Sequence, residues 1–376
     1  MRILVLNYEF PPVGGGGGRA SADLAEALAA RGHDLRVLTS AVPGLKHSTT
    51  AAGVEVTRLR TGRRSASRAG FMEMMGYVLT AAPRAAGVAR RWPADVIHAH
   101  FAVPTGAAAW ISSRWSGRPY VLTVHLGDIP GGVPEKTERW FRWVGPLTPP
   151  IWKGAARLVA VSDYTRRLAS EAYGVQAEVI PNGIDLSRRR PRAVAAGDPP
   201  RIVFAGRFQP QKNPVFLVDL LAQVRDLAWT AVLVGDGPLR DEVEGHVRRT
   251  GLDGRVRLTG WLPAEQAEEQ IAISDLLLMP SRAEGLPVVA LQALAHGLAI
   301  VGSRVGGLSE LIVDGQNGYG LLPDDAPGFR DALRCCLSDR QTLSRMKATS
   351  HGMAVRFDLN RVADAYEALY RQVVAG

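Results

Sequence analysis

Two cysteines, Cys335 and Cys336, are all that 376 residues contain. They stand side by side, so neither a disulfide framework nor a metal-ligand spacing follows from them. Long apolar runs are missing too: no stretch approaches the ~20 residues that a membrane-spanning helix needs. No secretory leader is expected, because the chain opens directly on the strand-like run Met1-Arg2-Ile3-Leu4-Val5-Leu6. There is no repeat of fixed period. These absences leave a cytoplasmic globular protein as the expectation. What is present is length, 46% apolar residues, 40 Gly and 24 Pro. That is too much chain for one ordinary domain and comfortable for two, with the loop content of an α/β protein.

The net charge of +9 is unevenly placed. Residues 1–186 hold 22 Lys and Arg against 14 Asp and Glu, and residues 187–376 hold 23 against 22. The excess concentrates between Arg58 and Trp92, where eight Arg and one Glu are interleaved with Phe71, Met72, Met74, Met75, Tyr77, Val78 and Leu79. Three readings stand for this segment. An Arg-rich surface helix with a core-facing stripe is the plainest. Basic residues beside an apolar helical stripe also suit an anionic membrane surface. Nucleic-acid binding is not expected, because no recognised motif accompanies the patch.

Strands alternate with helices along the chain. In the first half, strands are expected at 2–7, 34–39, 95–98, 120–125 and 158–162, and helices at 21–31, 106–115 and 163–172. Residues 187–200 carry charges and prolines without periodicity, and read as a linker. A second alternating series begins at 201. This pattern predicts two parallel sheets, each covered on both faces. The domains are expected at 1–186 and 201–355, with an amphipathic helix in 356–376 returning to the first.

Chemistry gathers at predicted strand ends. Leu276–Met279 is a short apolar strand, followed by Ser281-Arg282-Ala283-Glu284-Gly285 and a buried helix over 288–295. Backbone groups at the start of that helix, from Leu286 through Pro287 and Val288 to Val289, are orphan donors and a ready site for phosphate. Glu284 just ahead would accept hydrogen bonds from hydroxyls of an attached sugar. Gln292, eight residues further on, could reach a ribose. A buried helix after a surface Glu is the plainer alternative. Arg207 and Lys212 follow another strand, and two cations there suit a diphosphate. His125 follows the strand at 120–124, where a neutral imidazole can serve a sugar hydroxyl or move a proton. Gly235 lies in a loop open to close backbone approach. Gly15, Gly16 and Gly17 belong to a five-glycine loop in which Gly15, Gly17 and Ala20 fit G-x-G-x-x-A. The second strand ends Leu38-Thr39-Ser40, without the acid that a dinucleotide ribose requires. A mobile loop closing over ligand is therefore expected there.

Taken in order, the glycine loop, the T-x-H-x-x-D-like segment at His125, VSDYTRR, PNGID, GRF-x3-K, VGDGP and the DG-x-NG-x-L-like segment at Asp314 resemble a known family. The chain looks like a GT-B glycosyltransferase of the large retaining family 4, over nearly its full length and most firmly over 200–320. The resemblance implies two Rossmann-like domains facing each other across a cleft. It implies a UDP- or GDP-sugar co-substrate, no further cofactor, no metal, and transfer with retention. Arg207 and Lys212, with backbone at 285–288, would hold the diphosphate, and Glu284 the donor sugar. His125 would lie near the reacting sugar, Gly15–Gly17 near phosphate or acceptor, and Trp261-Leu262 near the base. One departure stands out: the family pattern is Glu, seven residues, Glu, and the second position here is Gln292. A lipid-linked or envelope saccharide is the expected acceptor, with docking on the inner membrane face through the 58–92 segment. A sugar-nucleotide epimerase of the same fold, an NAD-dependent dehydrogenase and a non-catalytic sugar-binding protein are the competing readings.

Overall fold

The computed structural model describes residues 1–66, 69–133, 144–189, 191 and 196–376. They form two compact units, Met1–Gly183 with Leu359–Gly376, and Ile184–Asp358.

The first unit is built on eight strands: β1 (Arg2–Leu6), β2 (Asp34–Ser40), β3 (Ser48–Ala51), β4 (Val54–Leu59), β5 (Val96–His100), β6 (Tyr120–Val124), β7 (Arg157–Ala160) and β8 (Glu178–Val179). Their order is β3-β4-β2-β1-β5-β6-β7-β8. All pairings are parallel except that of β3 with β4. The order reverses between β1 and β5, the point where open sheets of this kind leave a crevice at the strands' carboxyl ends. Central strands read as unbroken apolar runs because both faces are covered. Leu4, Leu6 and Ala99 meet one layer, which includes α2 (Phe71–Arg91) and α3 (Ala107–Ser116). Ile3, Val5 and Val96 meet the other, made by α1 (Gly16–Ala30) and the C-terminal helix Leu359–Ala375.

That terminal helix buries Val362, Ala363, Tyr366, Leu369, Tyr370 and Val373 against the first unit's sheet. Arg31 pairs with Asp364 at 2.6 Å on its rim. Tyr366 and Tyr370 reach inward to Thr123 and His98 at 2.9 and 2.7 Å. The first unit is thus completed by residues that lie at the far end of the chain.

The second unit holds β9 (Arg201–Ala205), β10 (Thr230–Val234), β11 (Val256–Gly260), β12 (Leu276–Met279), β13 (Ala299–Ser303) and β14 (Gly318–Leu321). They run parallel in the order β11-β10-β9-β12-β13-β14, with the reversal between β9 and β12. Among the connecting helices are two that matter below, Ala264–Ala272 and Val288–His296.

Three departures from the sequence reading are instructive. The β3–β4 hairpin was not foreseen. The first helix starts at Gly16 rather than at 21, so Gly16, Gly17 and Gly18 form its first turn instead of a free loop. A Cβ at Gly18 would lie 2.5 Å from the Glu9 carbonyl oxygen, and one at Gly17 would lie 2.7 Å from Phe101 Cζ. Those glycines serve close approach, not looseness. Finally, the expected linker 187–200 lies partly outside the described residues. Of the rest, Arg189 and Ala196 are buried within the second unit, so a share of this polar stretch is anchored.

Asp275 shows how that anchoring works. Its carboxylate accepts from the amides of Arg201 at 2.8 Å and Gly197 at 3.1 Å, and lies 2.6 Å from Lys347 Nζ. Both side chains of the ion pair are under a tenth exposed. Removing one partner of such a pair leaves a buried charge uncompensated. Asp275→Ala is therefore expected to cost the second unit about 3–5 kcal/mol in denaturant unfolding; a loss below about 1 kcal/mol would show that the pair is effectively solvated.

Candidate active site

In the second unit the expected groups meet at the carboxyl ends of β9 and β12, on either side of the order reversal. After β9 the chain turns through Arg207 and the buried Phe208 and Gln211 to Lys212. After β12 it runs through the loop 280–287 into the helix Val288–His296. The two loops are stitched together. Gln211 donates to the Ala283 carbonyl at 2.8 Å, and its own carbonyl accepts from the Arg282 amide at 2.8 Å. Lys212 Nζ lies 2.6 Å from Glu284 Oε1, with the carboxylate almost wholly buried. Glu284 is further fixed by its carbonyl, which accepts from Gly307 at 3.2 Å. Arg207 is half-buried and makes no ion pair among the described residues.

The VGDGP loop is held against this pair. Phe208 donates to the Asp236 carbonyl at 2.9 Å, Gly206 to Val234 at 2.9 Å, and Gly235 to Gly260 at 3.0 Å. A Cβ at Gly235, with φ of +145°, would lie 1.8 Å from the Gly206 carbonyl oxygen. Only glycine permits that approach. Beyond β11, Trp261 is 53% exposed and Leu262 half-buried, a surface on which a planar base can stack.

At the start of the helix Val288–His296, the Pro287 carbonyl accepts from Ala290 and Leu291 at 3.0 and 3.3 Å. The amides of Val288 and Val289 precede those bonds, where the positive end of a helix favours an anion. Pro287 was included among the phosphate donors and corrects that set: it has no N–H, and contributes only its fixed φ. Gln292 has a partner within the second unit: its Nε2 lies 3.4 Å from Glu268 Oε2. Spacing within the sequence gave no hint of that partner.

In the first unit His125 follows β6. Its ring stacks on Phe101 with centroids 4.3 Å apart, and Phe101 takes the rare φ of +72°. A Cβ on Gly17 would lie 3.5 Å from His125 Cε1, so the start of α1 is directly against this ring. Burial pushes the imidazole down to about 4, which keeps it neutral near pH 7. Its Nε2 is buried without a partner among the described residues. Gly15 is less open than the glycine run implied: its amide lies 3.3 Å from Glu9 Oε2.

Two other histidines extend the cluster. His98 is tied at both nitrogens, to Thr123 Oγ1 at 2.8 Å and Tyr370 Oη at 2.7 Å, and is structural. His100 lies between them, its ring centre 4.2 Å from that of His98 and 6.0 Å from that of His125. Asp128 is the group whose importance the sequence reading missed. Its Oδ2 accepts from the amides of Ala102 at 2.9 Å and His125 at 3.0 Å, clamping the loops after β5 and β6. Burial raises its carboxyl to about 7 against those two bonds. The T-x-H-x-x-D spacing was the signal available for it.

Comparison with known proteins gives a consistent picture. The family model described as glycosyltransferase family 4 matches residues 14–188, and that described as glycosyl transferases group 1 matches residues 199–339. The chain is 29% identical to a glycogen synthase of Mycobacterium tuberculosis, over 98% of this chain and 94% of that protein. Its fold is similar to a sucrose-phosphate synthase from Thermosynechococcus elongatus (TM-score 0.86, 22% identity, covering 100% and 99% of the two chains). It is also similar to Anabaena HepE solved with UDP-glucose (TM-score 0.76, 23% identity, covering 98% and 99%).

The buried histidines set a pH dependence of stability. Unfolded imidazoles protonate below about pH 6.5, whereas burial holds His125 down to about 4, His98 to about 3 and His100 also well below its ordinary value. Between those limits the unfolded chain binds more protons, so stability falls as pH drops from about 6.5 toward 4. Asp128 works the other way, because the fold keeps a proton that the unfolded carboxyl loses. Three imidazoles outweigh one carboxyl. The urea midpoint is expected to be lower at pH 5 than at pH 7, with a smaller gap in His100→Leu; an unchanged gap in that variant would remove His100 as a cause.

Proposed function

The chain belongs to the group 1, family 4 glycosyltransferases of the GT-B class, and on that premise we propose that it moves a sugar, with retention, from a UDP- or GDP-sugar to a saccharide hydroxyl. The observation that carries this reading is the Lys212–Glu284 pair at the carboxyl ends of β9 and β12. A cation and a carboxylate at one point provide for both halves of a nucleotide-sugar. Lys212 and Arg207 meet the diphosphate, joined by amides at Gly285, Leu286 and Val288. Glu284 is then free to accept hydrogen bonds from donor-sugar hydroxyls. As the glycosidic bond breaks, negative charge grows on the departing diphosphate and positive charge on the sugar ring. Fixed cations and helix-start amides stabilise the first, so the reaction as proposed needs no metal.

In this reading Trp261 and Leu262 take the base. The neutral His125, with its unpartnered Nε2, is suited to hydrogen-bond a sugar hydroxyl, and Gly15, Gly16 and Gly17 are suited to close approach by a phosphate or an acceptor. Retention follows if the acceptor hydroxyl attacks from the face the diphosphate leaves, with a phosphate oxygen taking its proton.

The acceptor we propose is lipid-linked or part of the cell envelope, and α2 supplies the observation. Met72, Met75 and Leu79, 78, 38 and 70% exposed, form an outward apolar stripe with Phe71 beside it. Arg60 and Arg64 ahead of α2, and Arg84, Arg90 and Arg91 further along it, are exposed; Arg68 lies outside the described residues. No helix among the described residues is long and apolar enough to cross a membrane. An apolar stripe on an arginine-bearing helix binds at an anionic lipid surface without crossing it.

Thermal unfolding with UDP, GDP, ADP, NAD and the common UDP- and GDP-sugars tests the donor. One nucleoside diphosphate at ~100 Kd should stabilise the protein by ~2.7 kcal/mol, and Arg207→Ala should abolish the shift. A shift with NAD alone would return the glycine loop to the dehydrogenases. For the acceptor side, vesicles rich in anionic lipid should sediment the protein at low salt, and Met72→Asp with Leu79→Asp should release it. Failure of the unaltered protein to sediment would end the docking proposal.

A further inference from the structure

Glu268 stands in the helix Ala264–Ala272 at the centre of three polar side chains. Arg189 donates to it through Nη2 at 2.9 Å and through Nε to the other carboxylate oxygen. His296 Nε2 lies 3.2 Å from Oε1, and Gln292 Nε2 3.4 Å from Oε2. Arg189 is itself buried and further tied to the Asp185 carbonyl at 3.2 Å. Burial works to raise the Glu268 carboxyl, but hydrogen bonds from His296 and Arg189 outweigh it and bring it down to about 2. It is a permanent anion.

An ionised carboxylate accepts hydrogen bonds and cannot donate. Gln292 must therefore turn its NH2 toward Glu268, which leaves the amide oxygen facing away. The Gln292 side chain is half-buried, and its Oε1 is not among the buried atoms lacking a partner. What the amide offers outward is an acceptor for a hydroxyl.

Glu268 and Gln292 are each the fifth residue of their helices, Ala264–Ala272 and Val288–His296. The first helix begins just after the loop that carries Trp261 and Leu262, and the second at the amides assigned to the diphosphate. A nucleoside diphosphate with its base at the first and its phosphates at the second carries its ribose between the two helix starts, above this contact. We propose that Glu268 is a positioning residue that locks the Gln292 amide with its oxygen toward the donor ribose, so that Gln292 accepts a ribose hydroxyl as a carboxylate would. The proposal rests on the donor-binding reading above. It also explains why this position holds Gln: a Glu at 292 would set two carboxylates in contact, and like charges so close cannot both ionise without cost.

The test compares, by calorimetric titration of the full chain, the nucleoside diphosphate that stabilises it with its 2′-deoxy and 3′-deoxy analogues. The protein should favour the ribonucleotide over at least one analogue by about tenfold, the worth of one hydrogen bond. Gln292→Ala should erase that preference while leaving affinity for the disfavoured analogue unchanged. Glu268→Ala should reduce the preference too, although the residue touches no ligand. Gln292→Glu should weaken ribonucleotide binding, and Glu268→Gln with Gln292→Glu should restore it. Unfolding midpoints without ligand show whether each variant folds, and the preference ratio within one variant is insensitive to lost material. A ratio that survives Gln292→Ala overturns the proposal while the donor reading stands. So does a Gln292→Glu protein that binds as tightly as the parent. If no nucleoside diphosphate binds at all, the donor reading itself has failed.

Discussion

One ion pair organises the second unit's chemistry. Lys212 and Glu284 are 72 residues apart in sequence and 2.6 Å apart in space. They meet because β9 and β12 are neighbours, although β10 and β11 intervene in the chain. The sheet order reverses there, so successive crossovers leave on opposite sides and the two loops face one another. Around the pair, backbone bonds from Gln211, Phe208 and Gly235 leave few degrees of freedom. A carboxylate so deeply buried stands only beside a compensating charge. Lys212 supplies it.

The first unit is governed by a different constraint, burial of imidazoles. His98, His100 and His125 follow one another through the ends of β5 and β6, and the low dielectric there keeps them uncharged. His98 is locked by Tyr370 from the C-terminal helix, and Thr123 by Tyr366. Asp128 then ties the two loops together through backbone amides. A group that touches ligand can be held accurately only when the groups beneath it are themselves fixed. Here two of the fixing groups, Tyr366 and Tyr370, come from the last 18 residues of the chain, Leu359–Gly376.

Much of the fold was legible from apolar runs of four to seven residues punctuated by Gly and Pro, because a strand covered on both faces can be little else. The β3–β4 hairpin was not: its edge strand Ser48–Ala51 is exposed and polar, and a solvated edge leaves no hydrophobic signature. The start of α1 was misplaced for a related reason. Glycine has poor helix propensity, and only the closeness of Glu9 and Phe101 shows why three of them open a helix. Pro287 was an avoidable error, since its missing N–H is a property of the residue. Glu268 could not have been found by spacing, because its partners come from two distant segments, Arg189 ahead of β9 and Gln292 with His296 on the helix Val288–His296.

The sequence by itself determined the residue types at the strand ends. Glycines, a histidine, two cations and a carboxylate, in that order, are a local property, readable because each follows a recognisable strand. Which of those side chains face one another was decided only by tertiary structure. Strand order placed Glu284 on Lys212, and helix packing placed Glu268 beside Gln292 and the start of α1 against His125. A chain of alternating strands and helices is compatible with several sheet orders, and distances between loops depend on the order alone. The protonation of the histidines was settled at the same level, because it depends on how completely other segments exclude water from them.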